Sequence, residues 1–194
     1  MVKKSLLKEI DRTIKESWLR SIKKDYRDVC LIKEDSLKCS LYYHIRRKLS
    51  RMLQEENLRI LPEFYIPSLS KRADLAIVKM DFSQDANSFT DYISDIVCII
   101  ELKYVAGFSN DILTWVKDDI WKIKQYLQEG RMDCQYYFAC IYEEECAYLQ
   151  WMDKRSTNHW AKGYVTELNA GFVDGNMTFE VHSYNGLNKD LNDE

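Results

Sequence analysis

The feature that most constrains this chain is the stretch Ile96–Tyr104, IVCIIELKY. Its apolar run, Ile96 to Ile100, reads as a strand buried on both faces, which belongs at the centre of a sheet with further layers on either side. The same strand ends on two charges. Residues i and i+2 of a strand share a face, so Glu101 and Lys103 point one way and Leu102 the other. Burying such charges is costly unless they are paired or hold a cation.

Helical and strand periods alternate around that strand. Leu6, Ile10, Ile14, Trp18 and Ile22 recur every four residues and predict an amphipathic N-terminal helix. Leu37, Leu41, Ile45, Leu49 and Leu53 predict a second, with Asp35 as its N-cap. The period then changes. Arg59–Ile66 reads as a first strand, placed at an edge or bulge by Pro62, and Ser68 to Ser70 as a turn. Ala73–Met80 reads as a second strand, residues 81–95 as a polar loop, and Ile96–Tyr104 as the third strand. Residues 111–129 return to helical spacing, with Gly130 as the residue that ends the helix. Cys134–Tyr142 reads as a fourth strand. Residues 143–160 fit no single period, and residues 164–184 read as a hairpin turning at Asp174, Gly175 and Asn176. A helix between the third and fourth strands argues for a mixed sheet covered by helices.

The chemistry rests on a polar trio in an apolar setting. Asp74 borders the strand core LAIV, and Glu101 and Lys103 end the next strand. Two nearby carboxylates offer the hard oxygen ligands that Mg²⁺ prefers. The metal lowers the pKa of a bound water and stabilises charge on phosphate. An adjacent lysine orients the attacking water or counters negative charge in the transition state.

RADLAIV, followed by IIELKY with Glu101 27 positions after Asp74 (101 − 74), resembles the PD-(D/E)xK nuclease superfamily. The likeness covers residues 34–142, and Ala73 stands where the motif has proline. It implies an α/β fold with a central mixed β-sheet flanked by helices, restriction-endonuclease-like, carrying N-terminal helical and C-terminal β-hairpin additions. On this reading residues 1–194 form one domain, with residues 1–30 as the N-terminal helix, 34–142 as the nuclease-like core and 143–194 as the C-terminal addition. The implied activity is metal-dependent phosphodiester hydrolysis with Mg²⁺ or Mn²⁺, on DNA before RNA. Asp74, Glu101 and Lys103 are the implied catalytic residues, and Asp74 and Glu101 the metal ligands. Glu34 is a further acid that the first core helix of such nucleases supplies to the metal; a cap at that helix end explains it, or Asp35, as well. Glu63 on the first strand and Asp119 and Lys122 on the later helix are supporting candidates, with a solvent-facing edge and an i,i+3 helical pair as their plain alternatives. Cleavage of both strands by a one-site enzyme implies a homodimer. The competing reading is a nucleic-acid-binding or interaction module on the same fold without cleavage.

Charge distribution bears on the partner. Residues 1–51 carry 15 Lys/Arg against 7 Asp/Glu, a balance of +8; the remainder carries 13 against 24, a balance of −11. A basic N-terminal third can contact phosphate while acids elsewhere hold metal. Arg46, Arg47, Lys48 and Arg51 are the candidate nucleic-acid contacts, and a solvated helix face is the alternative. The six cysteines include no CxxC pair and no common zinc spacing, so they read as reduced thiols. No apolar run approaches the ~20 residues of a membrane span, and the charged N-terminus reads as no signal peptide, so the chain reads as cytoplasmic. GxGxxG, P-loop, GxSxG and HExxH patterns are all missing, which disfavours dinucleotide, P-loop, serine-hydrolase and zincin chemistry.

Overall fold

The computed structural model describes residues 2–83, 85, 87–107, 111–129 and 134–188. Gly130 lies outside the described residues. Helix α1 (Lys4–Glu16) runs through a π-helical segment, Ser17–Ile22, into α2 (Lys23–Arg27). The sequence explains that segment. A stripe repeating every four residues drifts by about 40° per step around an α-helix of 3.6 residues per turn, and the wider π turn offsets the drift. Leu6, Ile10, Ile14, Trp18 and Ile22 therefore all stay buried. Helices α3 (Glu34–Lys48) and α4 (Ser50–Glu55) follow. Helix α3 starts one residue before the expected Asp35 cap. Its first turn is closed by Ser36, whose Oγ accepts the backbone N–H groups of Ile32 and Lys33 at 2.9 and 3.1 Å.

Six strands form one mixed sheet in sequence order: β1 (Leu58–Ile66), β2 (Lys71–Met80), β3 (Ile93–Val105), β4 (Gln135–Glu145), β5 (Val165–Val173) and β6 (Asn176–Ser183). The β1–β2–β3 and β5–β6 pairings are antiparallel, and β3–β4–β5 are parallel. Parallel neighbours need a crossover. Helix α5 (Ile112–Gln128) supplies the first. The second is mostly irregular and contains only the short α6 (Lys154–Asn158).

One face of the sheet packs under α1 to α4, with Leu75, Ile77, Ile100, Leu102 and Tyr137 in its core. The other packs under α5, with Ala76, Val78, Ile99, Phe138, Val116 and Ile123. Strand β3 is buried on both faces, as the Ile96–Ile100 run predicts, but it begins at Ile93, inside the expected loop, after a 3₁₀ turn at Phe89–Tyr92. Residues 164–184 do form the expected hairpin. Val173 pairs with Asn176, so the loop is Asp174 and Gly175, at φ 49° and 73°. A two-residue loop with positive φ at both positions matches the twist of its strands. This hairpin extends the central sheet, because β5 lies parallel on β4. All six cysteines are free thiols, and among the described residues no helix is long and apolar enough to cross a membrane.

Candidate active site

Three strands and two helices converge at the carboxyl end of β3. The β2–β3 register pairs Leu75 with Ile100, which carries Asp74 opposite Glu101. Opposed residues on antiparallel strands share a face. The β1–β2 register, Pro62 on Leu75 and Phe64 on Ala73, sets Glu63 opposite Asp74. Three acids therefore form a row across β1, β2 and β3. Glu63 sits at φ 50°, in the left-handed region that costs a non-glycine residue about 1 kcal/mol or more, so backbone strain is placed at this row.

Asp74 Oδ2 accepts the Leu102 backbone N–H at 2.8 Å, and Oδ1 lies 2.9 Å from Lys38 Nζ. Lys38 comes from the second turn of α3 and also bonds to Glu63. Burial works against the Lys38 charge, but Glu63 and Asp74 outweigh it and hold the ammonium above its usual range. Glu101 is fully buried. Lys122 Nζ reaches its Oε2 at 2.5 Å, and the Tyr126 hydroxyl donates to Oε1 at 3.0 Å. Burial pushes the Glu101 carboxyl up to about 8, against the pull of Lys122 and with the push of Asp74.

Lys103 Nζ lies 3.1 Å from Asp119 Oδ2 and 3.3 Å from Glu34 Oε2. Burial disfavours its charge; Asp119 and Glu34 override burial and raise its pKa. Burial raises the Asp119 carboxyl in turn, opposed by Lys103. Helix geometry delivers these groups in stripes. Glu34 and Lys38 are i,i+4 on α3, and Asp119, Lys122 and Tyr126 fall on one side of α5 at intervals of three and four.

The structure thus brings Asp74, Glu101, Lys103, Glu34, Glu63, Asp119 and Lys122 into one cluster. It adds two residues that the sequence did not single out for the site, Lys38 and Tyr126. Only their spacing links them to it, Lys38 following Glu34 by four positions and Tyr126 following Lys122 by four, and that spacing is common to any helix. Arg46, Arg47, Lys48 and Arg51 do not join the cluster. They are exposed at the far end of α3 and on α4. Arg46 lies eight residues past Lys38, about 12 Å along the helix. His44 is held by Asp25 at 2.8 Å, away from the carboxylates' partners.

The charge of the cluster tests whether it suits a cation. Five carboxylates, Glu34, Glu63, Asp74, Glu101 and Asp119, face three ammoniums, Lys38, Lys103 and Lys122, so the sum with Glu101 ionised is 3 − 5 = −2. A divalent cation balances that sum. Among the described residues no group of three or more His, Cys, Asp or Glu side chains is arranged to hold a metal. Asp74 and Glu101, opposed on one sheet face, are two carboxylates, and Mg²⁺ is commonly held by one or two carboxylates with water and substrate phosphate completing its shell. Compared with protein-family models, curated proteins and solved structures, the chain matches none.

Proposed function

We propose that this chain is a metal-dependent phosphodiesterase acting on nucleic acid, DNA before RNA, on a restriction-endonuclease-like sheet. The observation that carries the reading is the pairing of Asp74 and Glu101 across β2 and β3, with Lys103 two residues further along the same strand face. Asp74 and Glu101 are the groups that would hold Mg²⁺ or Mn²⁺, which supplies a water of lowered pKa and charge stabilisation at phosphate.

The protein's own groups take distinct parts. The Leu102 backbone N–H fixes the Asp74 carboxylate, so its other oxygen, which Lys38 holds in the resting chain, is oriented before any ligand arrives. Tyr126 fixes Glu101 in the same way. Lys103, clasped by Asp119 and Glu34, stays an ammonium. An ammonium has donors and no lone pair, so its part is to donate to a phosphate oxygen and offset charge there, not to take a proton from water. Lys38 and Lys122 are seated on Asp74 and Glu101 in the resting chain and can turn to the substrate's phosphate oxygens.

The test is cleavage of single- and double-stranded DNA and RNA with Mg²⁺, with Mn²⁺ and with EDTA. Metal-dependent product that disappears in Glu101→Gln supports hydrolysis. Tight binding of any of these strands without product under either metal replaces it with the binding-module reading, which the lysines seated on both carboxylates favour.

A further inference from the structure

A concave feature lies along α3, beyond the carboxylate cluster. It is a cleft of about 480 Å³ between α3–α4 and β1, lined by Tyr42, Arg46, Ser50, Gln54 and Arg59 over an apolar floor that includes Leu53. Lys38, Tyr42, Arg46, Ser50 and Gln54 recur every four residues, so the polar stripe that begins at the carboxylate cluster continues into the cleft. The edge strand follows the same track. Glu63 touches Lys38 at one end, and Arg59 lines the cleft at the other. The two routes agree in length: eight helical residues from Lys38 to Arg46 rise about 12 Å, and four strand residues from Glu63 to Arg59 span about 13 Å.

The two arginines are held and unpaired. Arg46 lies 5.7 Å from the Tyr42 ring centroid, with its Nη1 on the Tyr42 hydroxyl at 2.5 Å. Arg59 lies 5.8 Å from the Phe82 ring, with its Nη1 on the Leu58 carbonyl at 2.7 Å. Among the described residues neither guanidinium makes an ion pair, whereas Arg51 beside them is taken by Glu55. A guanidinium fixed on an aromatic face still offers its remaining N–H donors in the planar fork that suits phosphate. An apolar floor next to a tyrosine suits a base.

We propose that this cleft is a subsite for one nucleotide of the bound strand, with Arg46 and Arg59 on its phosphate, displaced from the carboxylates by about four nucleotides at ~3.4 Å of rise each. The assignment rests on the phosphodiesterase reading for its link to the carboxylates. It predicts that substrate length matters, since only a strand long enough to reach from Asp74 to Arg59 uses the cleft.

The test separates binding from turnover. Anisotropy of a fluorescein-labelled oligothymidylate is read in EDTA against wild type, Arg46→Ala/Arg59→Ala, and the charge-matched control Lys154→Ala/Lys162→Ala. The arginine pair should weaken binding by roughly tenfold or more and flatten the salt slope by ~1.4 for two lost single-strand phosphate contacts; the control should shift affinity less than about twofold. Cleavage then compares the oligothymidylate with thymidine 5′-(p-nitrophenyl phosphate), which is too short to reach the cleft. The arginine variant should raise KM for the former and leave turnover of the latter as in wild type. Equal losses in the variant and the control, or an unchanged affinity in the variant, overturn the subsite. If wild type cleaves neither substrate, the hydrolysis reading falls, and the anisotropy alone still decides the cleft.

Discussion

Glu101→Gln removes one ionisable group from the buried end of β3, and its effect on stability can be worked out with its sign. In the folded chain burial holds the Glu101 carboxyl protonated up to about 8, whereas the ordinary value is 4.5. Below pH 4.5 both states are protonated and the group contributes nothing against folding. Between 4.5 and about 8 the unfolded chain gives up a proton that the folded chain keeps. Stability therefore falls as pH rises across that window, by at most about 1.4 kcal/mol per pH unit. Over the whole window the ceiling is about 5 kcal/mol, since the carboxyl is fully buried. Glutamine cannot ionise, so the variant lacks this decline. Against it stands the exchange of the carboxyl that faces Lys122 at 2.5 Å for an amide; leaving a buried group poorly satisfied costs about 1–3 kcal/mol. The two curves should cross: wild type level with or ahead of the variant near pH 5, the variant ahead by a few kcal/mol near pH 8. Urea melts in EDTA from pH 5 to 8.5 measure the difference, and groups common to both proteins cancel in it. With Mg²⁺ at a hundred times its Kd, wild type should regain about 2.7 kcal/mol and the variant much less. Parallel curves for the two proteins at every pH would refute the argument, because they would mean that Glu101 is not held protonated by burial.

Three further outcomes are expected. Lys103→Ala should lower metal-dependent cleavage by ~10²–10³ while Mg²⁺ binding by calorimetry stays close to wild type; an unchanged rate returns Lys103 to a structural pair with Asp119 and Glu34. Asp74→Asn keeps an oxygen to accept the Leu102 N–H but loses the charge opposite Lys38, so turnover should vanish with the fold intact; full activity would remove Asp74 from the site. Asp11 and Lys15 form an ion pair at 2.7 Å with both side chains fully buried, and Asp11 also accepts from Tyr137, Asn185 and Asn188. Asp11→Ala strands a buried lysine, at about 3–5 kcal/mol, and at about 2–4 °C per kcal/mol should lower Tm by roughly 10 °C; a drop under a few degrees would mean that Lys15 finds water or another partner.

The sheet and its helices were legible because burial writes itself into periodicity. Ile96–Ile100 needed two covering layers, and the stripes of α1 and α3 needed something to cover. Less could be read of what joins the parallel strands. A β4-to-β5 crossover normally announces itself by a helical period, but residues 146–164 carry only the short α6. The segment is fastened by one buried carboxylate instead. Glu167 accepts the backbone N–H groups of Trp151 at 2.8 Å and Met152 at 3.2 Å, together with the Tyr184 hydroxyl at 2.9 Å and Asn169 Nδ2 at 2.9 Å. No spacing in the sequence marks a glutamate for that task. At the candidate site the strand residues were legible as charges in apolar strands. Lys38 and Tyr126 were not, because ordinary helical positions acquire meaning only when α3 and α5 are laid across the end of β3.

That arrangement follows from the topology. Strand β3 is where the antiparallel half of the sheet meets the parallel half, with β2 on one side and β4 on the other. The chain leaving β3 must cross to reach β4, and α5 does so over one face, bringing Asp119, Lys122 and Tyr126 to the strand end. On the opposite face α3 begins beside the same strand end, since the Leu31 carbonyl accepts from the Tyr104 hydroxyl at 3.1 Å. The two helices thus bring their polar stripes to one strand end from opposite faces. Buried charge there is tolerable only because each carboxylate has a lysine at hand, and on the proposed function that ammonium is the partner that substrate and cation would replace. The cost of the buried acids is met by the resting ion pairs, and the same pairs set the charge that a divalent ion and a phosphate diester would exchange.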